Sequence, residues 1–191
     1  MRAKQELQRL ERAFGRPEEV EFPGPFAMEE QEFQLLRRSR RDGRSHDVTL
    51  FIFIDGQVVA IRKPFHPPGV YRPPSGGVRP AETIIATAER EAYEETGLEI
   101  ELERYLLRLK PVFVRGEEGV SWTSHVFLAR RVGGGLDPRD TREIEEVRLV
   151  RVSELEGPIR DRLLASRQGG LLYRAQLADL ALARLRRLGL I

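Results

Sequence analysis

The stretch Gly76–Leu98, GGVRPAETIIATAEREAYEETGL, decides how the whole chain reads. From about residue 82 its spacing predicts a helix, with Gly97 where a left-handed C-terminal cap belongs. On that helix Glu91, Glu94 and Glu95 stand at i, i+3 and i+4 and so share one face. Carboxylates placed this way repel one another and disfavour the helix in isolation. Ile84, Ile85, Ala88 and Ala92 fall mainly on other faces and are expected to dock against a sheet. Arg90 can neutralise and orient a neighbouring acid, with Glu82, two turns earlier, as its partner. Clustered carboxylates beside a loop are most simply tolerated by a hard divalent cation, and oxygen ligands on rigid spacing suit Mg²⁺ or Mn²⁺ rather than zinc. The competing reading of the same residues is a solvated acidic helix face.

Working outward, VTLFIFI (Val48–Ile54) and QVVAIRK (Gln57–Lys63) flank Asp55-Gly56 and predict a β-hairpin. The Pro/Gly-rich segment Phe65–Pro80 reads as a loop without regular structure. After Gly97, strands are expected at Glu99–Leu109, Val112–Arg115, Ser121–Arg131 and Glu146–Val152, the last two separated by Gly133–Gly135 and the polar loop Asp137–Arg142. Leu163–Ala165 and Leu171–Leu188 read as closing helices. Upstream, Leu7, Leu10 and Phe14 set a helix over residues 2–14, stopped by Gly15-Arg16-Pro17, and Met28–Arg41 forms a second helical stretch. This order predicts an α/β fold with a mixed β-sheet between helices. Residues 1–45 are expected to form an N-terminal helical extension, residues 46–165 the central domain, and residues 166–191 a C-terminal helix packed on that domain.

Composition narrows the function classes. At 191 residues one domain is the default. The absence of cysteine excludes a disulfide framework, a thiolate zinc site and a thiol nucleophile. The longest apolar run, Val48–Ile54, is far short of the roughly 20 residues that span a bilayer. The stretch MRAKQELQRLERAF lacks the apolar core of a signal peptide, so no membrane association and a cytoplasmic location are expected. The net charge of +2 is a cancellation of 32 basic against 30 acidic residues. All but Lys4, Lys63 and Lys110 of the basic residues are arginine, whose planar fork suits phosphate and carboxylate ligands. No basic run interleaved with aromatics marks a nucleic-acid groove, so the expected partner is a small molecule. His46, His66 and His125 show no metal-ligand spacing, while Trp122 and Tyr105 either stack on a base or fill the core.

Gly76, Glu82, Arg90, Glu91, Glu94, Glu95, Gly97 and Leu98 fit the pattern G-x5-E-x7-R-E-U-x-E-E-x-G-U, with Ala92 at the first apolar U position. The stretch therefore resembles the Nudix box, and the flanking elements extend the likeness to the Nudix fold over about residues 46–165. The resemblance implies a Nudix hydrolase, which cuts a pyrophosphate bond in a nucleoside diphosphate derivative with water and divalent metal. It implies Glu91, Glu94 and Glu95 as ligands of Mg²⁺ or Mn²⁺, with the Ser75 backbone carbonyl a further ligand. Glu91, Glu95 and Arg90 would serve catalysis, and Gly76, Glu82 and Gly97 would shape the box. The general base is either a box glutamate or an acid of the later loop DPRDTREIEE, which offers Asp140, Glu143, Glu145 and Glu146. Glu143 is the first choice, because it precedes the following strand at a similar offset to the family's loop acid. Arg62, Lys63 and Arg72 flank the Pro/Gly loop and are candidates for substrate phosphate.

Three positions depart from the family pattern: Ser75 replaces a glycine, Ala81 stands where glycine usually precedes the first Glu, and Arg79 where an acid is common. ADP-ribose or another nucleotide sugar ranks first as substrate, and a nucleoside triphosphate or dinucleotide second. A non-catalytic nucleotide-binding regulatory module is the rival reading. The family's isopentenyl diphosphate isomerase would need a cysteine and is excluded. The helix over residues 2–14 either pairs two copies in a homodimer or caps its own sheet.

Overall fold

A computed structural model describes residues 2–191; Met1, within the expected 1–45 extension, lies outside the described residues. Its helices are α1 (Arg2–Phe14), α2 (Glu30–Arg41), α3 (Ile84–Thr96), α4 (Val152–Glu156), α5 (Pro158–Ala165) and α6 (Gly169–Arg187). Its strands are β1 (Glu18–Glu21), β2 (Phe26–Ala27), β3 (His46–Ile54), β4 (Gln57–Arg62), β5 (Ser75–Gly77), β6 (Leu98–Lys110), β7 (Val112–Arg115), β8 (Glu118–Ser121), β9 (Thr123–Gly134) and β10 (Glu146–Val150). The main sheet runs β1-β6-β9-β3-β4-β10, with β5 on β3, and a small sheet β2-β7-β8 stands beside it. β1 with β6 and β3 with β9 are parallel; the other pairs of the main sheet are antiparallel.

The continuous apolar run of β3 follows from burial on both faces. Val48, Leu50 and Ile52 join a core under α1 and α3, whereas Phe51 joins the opposite core under α4, α5 and α6. Helices thus cover both faces of a mixed sheet, as expected. α1 spends its apolar stripe inside the chain: Leu10 is buried, Leu7 and Phe14 pack on the same core, and Phe14 meets Phe127 edge-on. Among the described residues no helix is long and apolar enough to cross a membrane.

Several expectations need correction. The segment Phe65–Pro80 is not wholly irregular, because Ser75–Gly77 pairs antiparallel with Asp47–Thr49 and Ile61 bridges to Arg72. The N-terminal region is not only helical: Glu18–Glu21 extends the main sheet along β6, and Phe26–Ala27 pairs with β7. α3 begins at Ile84, where the Thr83 hydroxyl accepts from the Ala86 N–H at 3.1 Å, rather than at residue 82. Ile85 lies off the docking face and is exposed, while Ile84, Ala88 and Ala92 are buried as expected. β9 begins at Thr123 and runs on through Gly133 and Gly134, and Glu118–Ser121 is a separate strand.

One feature of the topology positions the site. β3 pairs with β4 only at the hairpin end, through Phe53–Val58 and Ile54–Gln57, and β4 then stays with β10. β5 takes the vacated edge of β3 and carries Ser75, Gly76 and Gly77 into the gap, against α3.

Candidate active site

α3 is held at both ends by local chemistry. Thr83 caps its start, and Gly97, at φ +78°, closes it with its N–H on the Tyr93 carbonyl. A Cβ on Gly97 would lie 2.3 Å from the Asp137 carbonyl oxygen, so the helix end and the 137–146 loop meet only through glycine. That loop is fastened to the helix by the N–H groups of Arg139 and Asp140, both donating to the Glu94 carbonyl at 3.0 Å.

The acids of α3 divide into two sets. Arg90 grips Glu82 through Nε and Nη2 at 2.7 and 2.9 Å, and its Nη1 donates to Glu91 at 2.6 Å and Glu94 at 2.9 Å. The Arg90–Glu82 pairing is the one the spacing predicts. Arg90 first, then the Thr87 hydroxyl and the Arg79 N–H, hold the Glu82 carboxyl down to about 2. Glu95 points the other way and is buried; its Oε2 accepts the Ser75 N–H at 2.7 Å. Its Oε1 faces Lys63 Nζ at 3.5 Å and Arg72 Nη2 at 3.6 Å. Burial first, and the charge of Glu95 second, push the Glu91 carboxyl up to about 7 despite Arg90 beside it.

Gly76 permits this packing: a Cβ there would sit 1.8 Å from the Glu91 carboxyl carbon. Glu143 joins the group through Lys63, whose Nζ donates to Glu143 Oε2 at 3.0 Å while facing Glu95. Arg72 is buried and donates to the Ser75 hydroxyl at 2.6 Å. Arg62 turns instead to Glu145 and Glu146, at 2.7 and 3.4 Å. Tyr105 and His125 are hydrogen-bonded to each other in the core, and His46 meets His125 at 3.0 Å, which takes Tyr105 away from any base. Trp122 lines the cleft over β5.

Among the described residues no three acidic or histidine side chains converge at metal-ligating distances, because Glu91 and Glu94 turn to Arg90 and Glu95 to Ser75. The donor set nevertheless fits a hard cation. It is all oxygen, and the proximity of the buried Glu95 to the partly buried Glu91 leaves negative charge that Arg90 does not fully offset.

The region 43–169 matches the family model described as NUDIX domain. The chain belongs to the Nudix hydrolase family. This Nudix chain is 39% identical over 74 residues to 8-oxo-dGDP phosphatase NUDT18 of Homo sapiens, a match covering 39% of the chain and 21% of that protein. Its likeness to the Mus musculus protein of the same name is 40% over 70 residues, covering 36% and 19%. The match thus spans about a fifth of the length of these relatives. Among solved structures it is similar to a UDP-X diphosphatase, at 16% identity and TM-score 0.48 over 63% of this chain and 60% of that one. It is also similar to a NUDIX hydrolase from Nitrosomonas europaea, at 18% identity and TM-score 0.48 over 65% and 90%.

Residues absent from the expected site come from outside the box. Arg174 of α6 reaches across to β3, donating to Asp47 Oδ2 at 2.8 Å and Thr49 Oγ1 at 2.9 Å. With Arg72 and Lys63 it lines a cleft of about 330 Å³ that opens over Ser75 and Gly76. The only signal in the sequence is an arginine interrupting the apolar start of the C-terminal helix. Nothing local tells that it faces Asp47.

Proposed function

We propose that the chain hydrolyses a pyrophosphate bond in a nucleoside diphosphate derivative, with Glu91, Glu94, Glu95 and the Ser75 carbonyl holding Mg²⁺ or Mn²⁺. The observation that carries this reading is Glu95, buried beside Glu91 and facing Lys63 and Arg72, two cations that line the cleft over Ser75 and Gly76. Such an arrangement presents carboxylates for cations on one side and cations for phosphate on the other. When bound, a divalent cation would neutralise phosphate charge and lower the pKa of a bound water.

The chain's own part is positioning. Arg90, locked on Glu82, fixes the carboxylates of Glu91 and Glu94. Arg72 and Lys63 orient the phosphate oxygens. Water attacks phosphorus as the bridging P–O bond breaks, and its proton passes to a carboxylate. Glu143 is the first choice for that base, since Lys63 draws it to within reach of Glu95. ADP-ribose or another nucleotide sugar suits the cleft's cationic wall. The 8-oxo-dGDP phosphatase relatives favour instead a purine nucleoside diphosphate. Nucleoside triphosphates and dinucleotides rank behind both, and nucleotide binding without cleavage is the rival to hydrolysis itself.

Cleavage of a nucleotide panel with Mg²⁺ or Mn²⁺ tests the proposal, read as free phosphate from nucleoside diphosphates and as phosphomonoester products from nucleotide sugars. Glu94→Gln should lower turnover by roughly a hundredfold or more on whichever substrate is cut. Equal cleavage by wild type and Glu94→Gln across the panel would defeat the hydrolase reading. A cytoplasmic location and a homodimer complete the proposal; a monomeric mass by light scattering would remove the homodimer, against which the inward-turned stripe of α1 argues.

A further inference from the structure

Beside the carboxylates a second cleft, of about 450 Å³, opens between α2, the segment after β4 and the first turn of α6. Its walls include Glu32, Leu35, Phe65 and His66, and it shares Arg72 and Arg174 with the cleft over Ser75 and Gly76. Its volume lies within the range of about 300–1,000 Å³ found for small-molecule sites.

Two independent observations mark it as built for a ligand. Phe65 at 71% and Leu35 at 58% are the most exposed of the large apolar side chains among the described residues, and both stand on this one cleft, from different elements. Single exposed apolar residues are ordinary, but a pair flanking a polar cleft offers faces for a flat ring. The second observation is polar. Glu32 Oε1 accepts the Gly170 N–H at 2.7 Å, but its Oε2 is buried with no partner. His66 is 9% exposed, and its Nδ1 is likewise buried without a partner. Groups of this kind are desolvated without compensation, a cost that a matching ligand group recovers.

The chemistry of these groups selects the occupant. A sugar brings many hydroxyls, each needing a polar partner, which apolar grips do not supply. A planar base has few polar edge atoms. A carboxylate oxygen only accepts, and guanine sets its ring N1–H beside its 2-amino group, so two donors can converge on it. Adenine offers a single amino group flanked by ring nitrogens that accept and would be repelled. A neutral imidazole can donate to the guanine O6.

We propose that this cleft is the base subsite, that Phe65 and Leu35 hold the ring, and that Glu32 selects a guanine-type edge. The inference rests on the hydrolase reading only for the placing of the phosphates toward Arg72 and the carboxylates. GDP, IDP and ADP serve as probes, compared by equilibrium binding with Ca²⁺ and by turnover with Mg²⁺. Wild type should bind GDP roughly ten- to a hundredfold more tightly than ADP, with IDP, which lacks the 2-amino group, between them. Glu32→Gln keeps an oxygen for the Gly170 N–H but puts a donor at the other position, and should bring the GDP:ADP ratio to within about threefold. Phe65→Ala should weaken all three by about tenfold and leave the unfolding midpoint unchanged.

Equal affinity of wild type for the three bases, a preference for ADP, or a ratio unmoved in a folded Glu32→Gln would each overturn the proposal. Should that variant fail to fold, the wild-type ratios and Phe65→Ala decide alone. Base-selective binding without cleavage of any member of the nucleotide panel would sink the hydrolase reading and leave the subsite standing; cleavage without base preference would do the reverse.

Discussion

At position 76 the missing side chain matters more than most side chains present. The space its Cβ would need is already filled by the Glu91 carboxyl, 1.8 Å away. Glu91 is the end of a movable side chain, so Gly76→Ala should displace the carboxylate rather than unfold the chain. Turnover is expected to fall by about a hundredfold, the scale of a misplacement near 1 Å, while the melting temperature moves little. A variant with wild-type turnover would show that Glu91 need not stand where it does. The same residue explains why the box is readable at all. Gly76, Glu82, Arg90 and Glu91 interact within one short stretch, so their spacing alone carries their geometry. Lys63, Glu143, Asp47 and Arg174 meet only after the sheet has formed, and no local pattern marks them.

At the scale of elements, the turn leading into α3 holds a residue in an unfavourable backbone shape. Ala81 has φ +68°, a left-handed conformation that costs a residue with Cβ roughly 1–2 kcal/mol, and it occupies a place where the family usually has glycine. Ala81→Gly should therefore stabilise the protein by about 1 kcal/mol net of the extra freedom of the unfolded chain. Urea unfolding would measure this, and a loss of stability would mean that the turn is held for other reasons. The elements legible in the sequence follow the same logic. β3, β4 and α3 carry strong periodicity and proper turn or cap residues, so they fall within two residues of where the spacing predicts. β5 is Ser-Gly-Gly, with no β propensity of its own, and exists because β3 has a free edge there. β1 and β2 are short pieces whose strand character comes from β6 and β7. α1 is legible as a helix but its partner is not, since an apolar stripe fits a second copy as well as the chain's own sheet.

At the scale of the whole molecule, stability should depend on pH through histidines buried in neutral form. Burial first, then the neighbouring His46 and Arg108, depress His125 to about 3; burial and nearby arginines and lysine do the same to His66. His125 is fully buried between His46 and Tyr105. In the unfolded chain such a group titrates near 6.5, so below that pH the unfolded state takes up a proton that the folded state refuses. Stability is thus full above about pH 6.5 and is lost as pH falls from there toward 3. At pH 5 the His125 contribution to that loss is about 2 kcal/mol. Glu91 opposes it, since a carboxyl raised to about 7 binds its proton in the folded state first and favours folding as pH drops from 7 toward 4.5. With two histidines against one carboxyl, the net effect remains destabilising. Comparing urea unfolding at pH 7.5 and pH 5 for wild type and His125→Gln isolates the group, because glutamine can still bridge to Tyr105 without titrating. The wild type should lose about 2 kcal/mol more than the variant on acidification, and equal losses would mean that His125 is charged inside the fold.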